Sequence, residues 1–407
     1  MTQSISTARR PHGTLALRMY YVAAVSVGGV VLPFFPRWLE GRGMLGVRLG
    51  LIAAAAPAMN IIAPGAFGAL ADALHLRGGL LQIACAGALL AFGTLAVVAA
   101  LGWPLGFGLL FSAAAVFALF RSPMSFVADL VAIELAPAAG TTYGRLRLWG
   151  SLGFIVTVPI ATRYLDPNAP AAFPLVTSAI VLGALLASLR LPLRSHLAHV
   201  ARPKGEPGRL RIAFDRDYVL FLAAVFLAQC GHAAYDLCFS FRLLELHARP
   251  STFWVAWDLG TAAEVVVMAY SPAIFGAFQT STLYAFALGA ASLRWCALAA
   301  VKSVAVLLAL QPLHALSFGL AWLASVGYAS RRVSGDALGT AQGTFATATG
   351  AGAALGMVLW GSLYARAGAS AVFAGAACFS AVACACAVGL HRRAGRRAGP
   401  EPMPNAP

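Results

Sequence analysis

The chain is 407 residues long, 60% hydrophobic and only 11% charged, with a mean hydropathy of +0.79. Soluble proteins keep roughly a quarter of their residues charged, so this composition excludes an ordinary soluble domain or pair of domains. The formal net charge of +15 raises nucleic acid as a partner, but the placement of the charges assigns them to bilayer orientation instead.

A membrane-crossing helix needs about 20 apolar residues. In chain order such stretches fall at roughly 15–38, 48–71, 79–101, 104–133, 145–165 and 172–192. Six more follow at roughly 217–244, 252–277, 281–301, 304–328, 338–365 and 370–391. The expected fold is therefore an all-α membrane protein with twelve transmembrane helices. Between the sixth and seventh stretches, residues 193–216 are polar and basic and contain Pro203, Gly205, Pro207 and Gly208, the composition of a flexible linker. The predicted organisation is an N-terminal six-helix bundle (1–192), a cytoplasmic linker (193–216), a C-terminal six-helix bundle (217–391) and a cytoplasmic tail (392–407). Paired halves of this kind are common in transporters and rock about a site near the midplane. A faint repeat agrees: Gly140-Thr141-x-x-Gly144 precedes the fifth stretch and Gly339-Thr340-x-x-Gly343 opens the eleventh.

With both ends inside, about 18 basic residues fall on the inner side, about eight outside and about three within helices, the bias expected of cytoplasmic loops. The inner set includes Arg9, Arg10, Arg18, Arg77, the run from Arg190 to Arg216, Arg331, Arg332 and the tail Arg392 to Arg397. Arg37, Arg42 and Arg48 in the first outer loop are a local exception. The first apolar stretch runs on as a full span with no small-residue cleavage site after it. The expected location is the cell inner membrane, multi-pass, with both termini cytoplasmic. Seven cysteines, mostly within apolar stretches, have neither metal nor redox spacing and read as small packing residues.

Ionisable residues deep in a membrane helix cost a few kcal/mol on insertion scales and mark functional sites. Arg121 and Asp129 lie in the fourth stretch and Arg147 in the fifth. Ser151 and Phe154 follow Arg147 at i+4 and i+7, on one helical face. A cation, a hydroxyl and a ring on one stripe suit a polar solute with an apolar side; the alternative is a structural Asp129–Arg147 ion pair. His232 and Asp236 are four apart in the seventh stretch, either a mutual hydrogen bond or a proton-handling pair. In the eighth, Asp258 is expected near the outer end and hydrated, while Glu264 is deep and able to load and release a proton. Arg294 in the ninth and His314 in the tenth complete the set, with His314 either a proton carrier or an interhelical hydrogen-bonding group.

Several segments share one resemblance. They are LPFFPRWLEGRG (32–43), YGRLRLWGS (143–151), GHAAYD (231–236), AAEVVVMAYSP (262–272) and the Leu-His of 313–314. In this order and spacing the chain resembles the lactose permease and phenylpropionate permease branch of the major facilitator superfamily, over nearly all its spans. Residues 68–77, GALADALHLR, resemble the superfamily's loop between helices two and three, with Gly68 and Asp72 kept and Ala73 where a basic residue is usual. The resemblance implies sugar-holding roles for Asp129 and Arg147, a stacking position for Phe154, and a proton-coupling region around Arg294 and His314. Departures are equally specific. Ser317 stands where lactose permease has its proton-carrying glutamate, Glu264 lies about one turn from that permease's helix-eight acid, and the lysine partner of Asp236 falls near Thr349. Arg121 replaces an apolar position. These changes argue against lactose, and the extra cation favours an acidic substrate.

The resulting expectation is proton-coupled uptake of a small organic solute, a sugar or an aromatic or organic acid, by alternating access. Asp129, Arg147, Ser151, Phe154 and Arg121 would bind the solute; Glu264, His314, Arg294 and Asp236 would couple the proton; Gly68 and Asp72 would serve the conformational loop. The partners are a small-molecule substrate, protons and the bilayer, in a monomer, with no cofactor, metal or nucleic acid; the proton gradient supplies energy. Proton-antiport efflux of drugs or metabolites is the alternative within the fold, and a non-transporting sensor or scaffold is the alternative outside it. No nucleophile–base arrangement, metal spacing or G-x-x-x-x-G-K loop supports an enzyme or ATP use.

Overall fold

The computed structural model describes residues 10–74, 79–166, 168–191, 215–331 and 338–398. These residues are helical apart from short connections. In chain order the helices are α1 (Arg10–Glu40), α2 (Val47–Leu74), α3 (Leu80–Ala100), α4 (Phe107–Ala138), α5 (Tyr143–Tyr164) and α6 (Ala172–Ser188). After the linker come α7 (Arg216–Glu245), α8 (Pro250–Ala277), α9 (Thr280–Ala300), α10 (Val304–Ala309), α11 (Ala321–Arg331) and α12 (Leu338–Ala398). Among the described residues, eight helical segments are long and apolar enough to cross a membrane, and Val47–Ala63 and Ala172–Ser188 are shorter apolar helices. In lipid an unpaired backbone group has no water to turn to, which is why the apolar chain resolves into helices that satisfy their own peptides.

One element departs from the expected single spans. The stretch expected at 304–328 is divided into α10, a 3-10 turn (Gln311–Leu313), a π-helical turn (Ala315–Leu320) and α11. Pro312 lies in that break, and proline supplies no N–H to the helical ladder. The stretches expected at 338–365 and 370–391 are two helices, together α12, that meet at a kink at Gly368 with φ 75° and ψ 177°. Only glycine adopts that geometry at little cost. The break is held by Glu245, whose Oε1 accepts from the Ala369 N–H at 2.6 Å while its Oε2 accepts from Arg242 at 3.0 Å. Arg242 also donates to Leu298 O (3.1 Å), Ala299 O (3.3 Å) and Val301 O at the end of α9.

Helix α1 packs on α5 and α6, and α3 and α4 pack on each other and on α6 and α2 respectively. On the other side α7 and α9 pack on α12, and α8 packs on the π turn. The two sets meet where α2 touches α12, α5 touches α8 and α1 touches α7. The α2–α12 contact is backbone-close: a Cβ at Gly50 would lie 2.6 Å from Met357 O and Val358 Cα. At the C-terminal end of α1, Ser240 Oγ donates to Pro33 O at 2.8 Å, Arg37 lies 4.9 Å over the Phe253 ring, and Tyr364 OH donates to Glu40 Oε1 at 3.0 Å.

The predicted linker falls almost wholly outside the described residues; its last two residues belong to the start of α7, where the Asp215 carboxylate accepts from the Asp217 N–H at 3.3 Å. Gly68 and Asp72 lie on the last turns of α2, and the Asp72 side chain is outside the description.

Candidate functional site

Two polar groups form, one on each set of helices. In the first, Asp129 of α4 accepts from Tyr21 OH of α1 at 2.7 Å, and its Oδ1 lies 3.6 Å from Arg147 Nε of α5. Arg147 also lies 5.8 Å over the Tyr21 ring. Both charges remain partly open, at 42% and 30% side-chain exposure for Arg147 and Asp129, so the pair is available to a third polar group. Tyr21 gives no signal in the sequence, since an aromatic residue in an apolar helix is ordinarily core.

Phe154 points to α1 and is 7% exposed. A Cβ built on Gly28 would touch both its ring, at 3.8 Å, and Arg121 Nη2, at 3.7 Å. Arg121 is therefore delivered from α4 to the same place as Phe154. Its Nε is buried without a hydrogen-bond partner, and no carboxylate pairs with it among the described residues. Ser151, from the same predicted stripe, is half-buried.

The second group is built around Arg294 of α9, which is fully buried. Its Nη2 donates to Gln311 Oε1 at 3.0 Å, and its Nη1 reaches Ser317 Oγ at 3.1 Å and His314 Nδ1 at 3.3 Å. The guanidinium also faces the Tyr235 and Trp295 rings at 4.5 and 4.7 Å. Tyr235 OH donates to Gln311 Oε1 at 3.3 Å, and the Gln311 amide is held by Leu307 O at 2.8 Å. The π turn, a feature frequent at functional sites, sets Ser317 beside His314 on one cation. Tyr235 and Gln311 escape the sequence reading. Gln311 precedes His314 by three residues, one helical turn, and that spacing is the signal that could have found it.

Two carboxylates approach this centre through two imidazoles. Glu264 Oε2 of α8 lies 3.8 Å from His314 Nε2, and Asp236 Oδ1 of α7 lies 3.6 Å from His232 Nε2. The two histidine rings are 5.7 Å apart. Close packing holds this line, because a Cβ on Gly319 would sit 3.1 Å from Glu264 Cγ and one on Gly260 would sit 3.3 Å from His314 Cβ. Thr349 Oγ1, where the resemblance places the missing lysine, is buried without a partner. Arg147 on α5 and Glu264 on α8 belong to two helices that meet between the sets.

Asp258 departs from expectation. The sequence places it near the outer end and hydrated, yet it is 8% exposed, with both carboxylate oxygens buried and unpartnered. The neighbouring helices cover it, a relation that depth along one helix does not contain. Among the described residues no cluster of three or more His, Cys, Asp or Glu could hold a metal ion.

The family model described as "MFS_1 like family" matches residues 14–374. A "Probable 3-phenylpropionic acid transporter" from Escherichia coli (strain K12) is 27% identical over 349 residues, covering 83% of this chain and 87% of that protein. A "Maltose permease" from Geobacillus stearothermophilus is 25% identical over 323 residues, covering 77% of this chain and 78% of its own. In fold, the crystal structure of the nucleoside transporter NupG superposes with a TM-score of 0.79 at 15% identity, covering 93% of this chain and 99% of that one.

Proposed function

Since the chain belongs to the MFS_1 like family and is a multi-pass major facilitator transporter, we propose that it couples proton entry to the uptake of a small organic acid. The reading takes the chain as twelve crossings in two bundles, 1–192 and 217–391, in the cell inner membrane, monomeric and with both termini cytoplasmic. What supports the two bundles is the packing: α1 to α6 pack among themselves, α7 to α12 do likewise, and a few helix pairs join the sets.

The observation that carries the substrate class is Arg121, a cation inside an apolar helix, beside the Phe154 ring and without a carboxylate partner among the described residues. A half-buried guanidinium whose Nε has no partner is costly in an apolar helix, and a carboxylate on the solute would relieve it with a charge-assisted hydrogen bond. Phe154 beside it suits an apolar or aromatic body. Arg147 and Asp129 would take the solute's other polar atoms. Proton coupling is supported by the Glu264–His314–Arg294 group. Protonating Glu264 would leave the loaded centre one charge less negative and lower the cost of moving it through an apolar seam.

The test is external pH in weakly buffered, de-energised cells expressing the protein, given 3-phenylpropionate, maltose and uridine in turn, with Asp129→Asn as control. Alkalinisation on adding 3-phenylpropionate, absent in the variant, is the expected result. Uptake of the labelled acid with no pH change would remove the coupling, and a response to maltose or uridine alone would remove the substrate class.

A further inference from the structure

A small cavity lies inside the C-terminal set of helices, apart from the seam between α5 and α8. Gln229 and His232 of α7, Tyr284 of α9, Ser317 of the π turn, and Trp322 and Ser325 of α11 line it, and its volume is about 30 Å³. One water needs roughly 10–15 Å³ measured in this way, so the space admits about two.

Its wall carries hydrogen-bonding atoms that the protein leaves unused. His232 Nδ1 and Tyr284 OH are both buried without a protein partner, in residues 9% and 3% exposed. His232 turns its other nitrogen, Nε2, toward Asp236, so Nδ1 is the atom left over. Thr280 Oγ1, one turn before Tyr284 on the same face of α9, is a third buried polar atom of this kind. Thr280 is 8% exposed and packs beneath Gly327 of α11, whose Cβ would lie 3.7 Å from Thr280 Cγ2. Buried polar groups in native proteins are almost always bonded to protein or ordered water. Two of the three belong to residues that line the cavity, His232 and Tyr284, and Thr280 lies one turn from Tyr284 at the start of α9. A dry apolar void would not be lined by residues with such unused polar atoms.

We propose that this cavity is a buried water site, and that its waters carry protons between His232 and the end of the bundle where α9 starts, without crossing the solute path. His232 Nδ1 takes a proton from a cavity water as the Nε2 proton passes to the Asp236 carboxylate, and that water is reprotonated from solvent at the α9 end, so no hydroxide is left behind. Each transfer forms one bond to hydrogen and breaks another, so nothing is oxidised or reduced. The water site stands on the cavity and its unpartnered atoms alone. Its use as a proton path rests on the coupling proposed above.

Radiolytic hydroxyl labelling of the purified full chain in nanodiscs, mixed rapidly into ¹⁸O-water, tests the site without any ligand. Bound, exchanging water predicts oxidation of Tyr284, Phe318 and Trp322 at least several-fold faster than of Phe286 and Leu293, which are 57% and 73% exposed on the apolar exterior. Equal rates would overturn the water site. The path is tested in proteoliposomes with labelled 3-phenylpropionate, comparing Tyr284→Phe and Ser325→Val with the unaltered chain. About a tenfold loss of pH-gradient-driven accumulation, with equilibrium exchange retained, is expected. Unchanged accumulation in both variants would overturn the path. Exchange by the unaltered chain without proton movement would remove the coupling and leave the water site to the labelling result.

Discussion

Arg294 donates to Ser317 Oγ at 3.1 Å while its other terminal nitrogen holds Gln311 at 3.0 Å. Both terminal nitrogens of this fully buried guanidinium thus rest on neutral acceptors while its Nε has no protein partner, and the carboxylates stand beside the two imidazoles, Glu264 at His314 and Asp236 at His232. Such an arrangement leaves the cation fixed and the carboxylates free to change protonation.

Gln311 is the central acceptor, because it serves both Arg294 and Tyr235 OH. Gln311→Leu would strand two buried donors at about 1–3 kcal/mol for each group. Ser317→Ala removes one acceptor while His314 Nδ1 remains near the same nitrogen, a loss of about 1 kcal/mol. Thermal unfolding in detergent should therefore place Gln311→Leu clearly below Ser317→Ala. The reverse order would show that Gln311 is not the keystone of this cluster.

Arg121→Gln should weaken 3-phenylpropionate uptake by roughly 10- to 100-fold, the equivalent of one charge-assisted hydrogen bond of about 1.5–3 kcal/mol. Arg121→Lys keeps the charge but not the fork and should fall between. Uptake kinetics with labelled acid measure both. Equal uptake in all three proteins would mean that Arg121 does not meet the solute.

Glu264→Gln keeps size and hydrogen bonding but cannot cycle a proton. Accumulation against a gradient should be abolished while exchange of labelled 3-phenylpropionate across the membrane continues. Retained accumulation in this variant would transfer the coupling role to Asp236, the other carboxylate beside an imidazole.

Glu245→Ala should destabilise the C-terminal set of helices by about 1–3 kcal/mol, because it removes both the Arg242 partner and the acceptor for Ala369 N–H at the Gly368 break. Melting of the purified protein checks this, and an unchanged midpoint would show that the break holds without its cap.

Much of the fold is legible because membrane helices write themselves into composition. Arg147, Glu264 and Arg294 stand out in apolar runs at 11% overall charge, and each lies in a polar group of the structure. Tyr21, Tyr235 and Gln311 do not stand out, because their role comes from partners 108, 76 and 17 residues away. Asp258 misleads for the same reason: distance from a helix end says nothing about which neighbour covers it.

The solvent, the helical class and the identity of the intramembrane charges can be read along the chain, since each is a property of single stretches and their cost in lipid. Tertiary structure alone decided the rest. It placed Arg121 beside Phe154 with no counter-ion among the described residues, put a π turn in the tenth stretch that gathers Ser317 and His314 on Arg294, and left a small cavity beside His232. Those relations depend on which faces of distant helices meet, and hydropathy along one helix is blind to its neighbours.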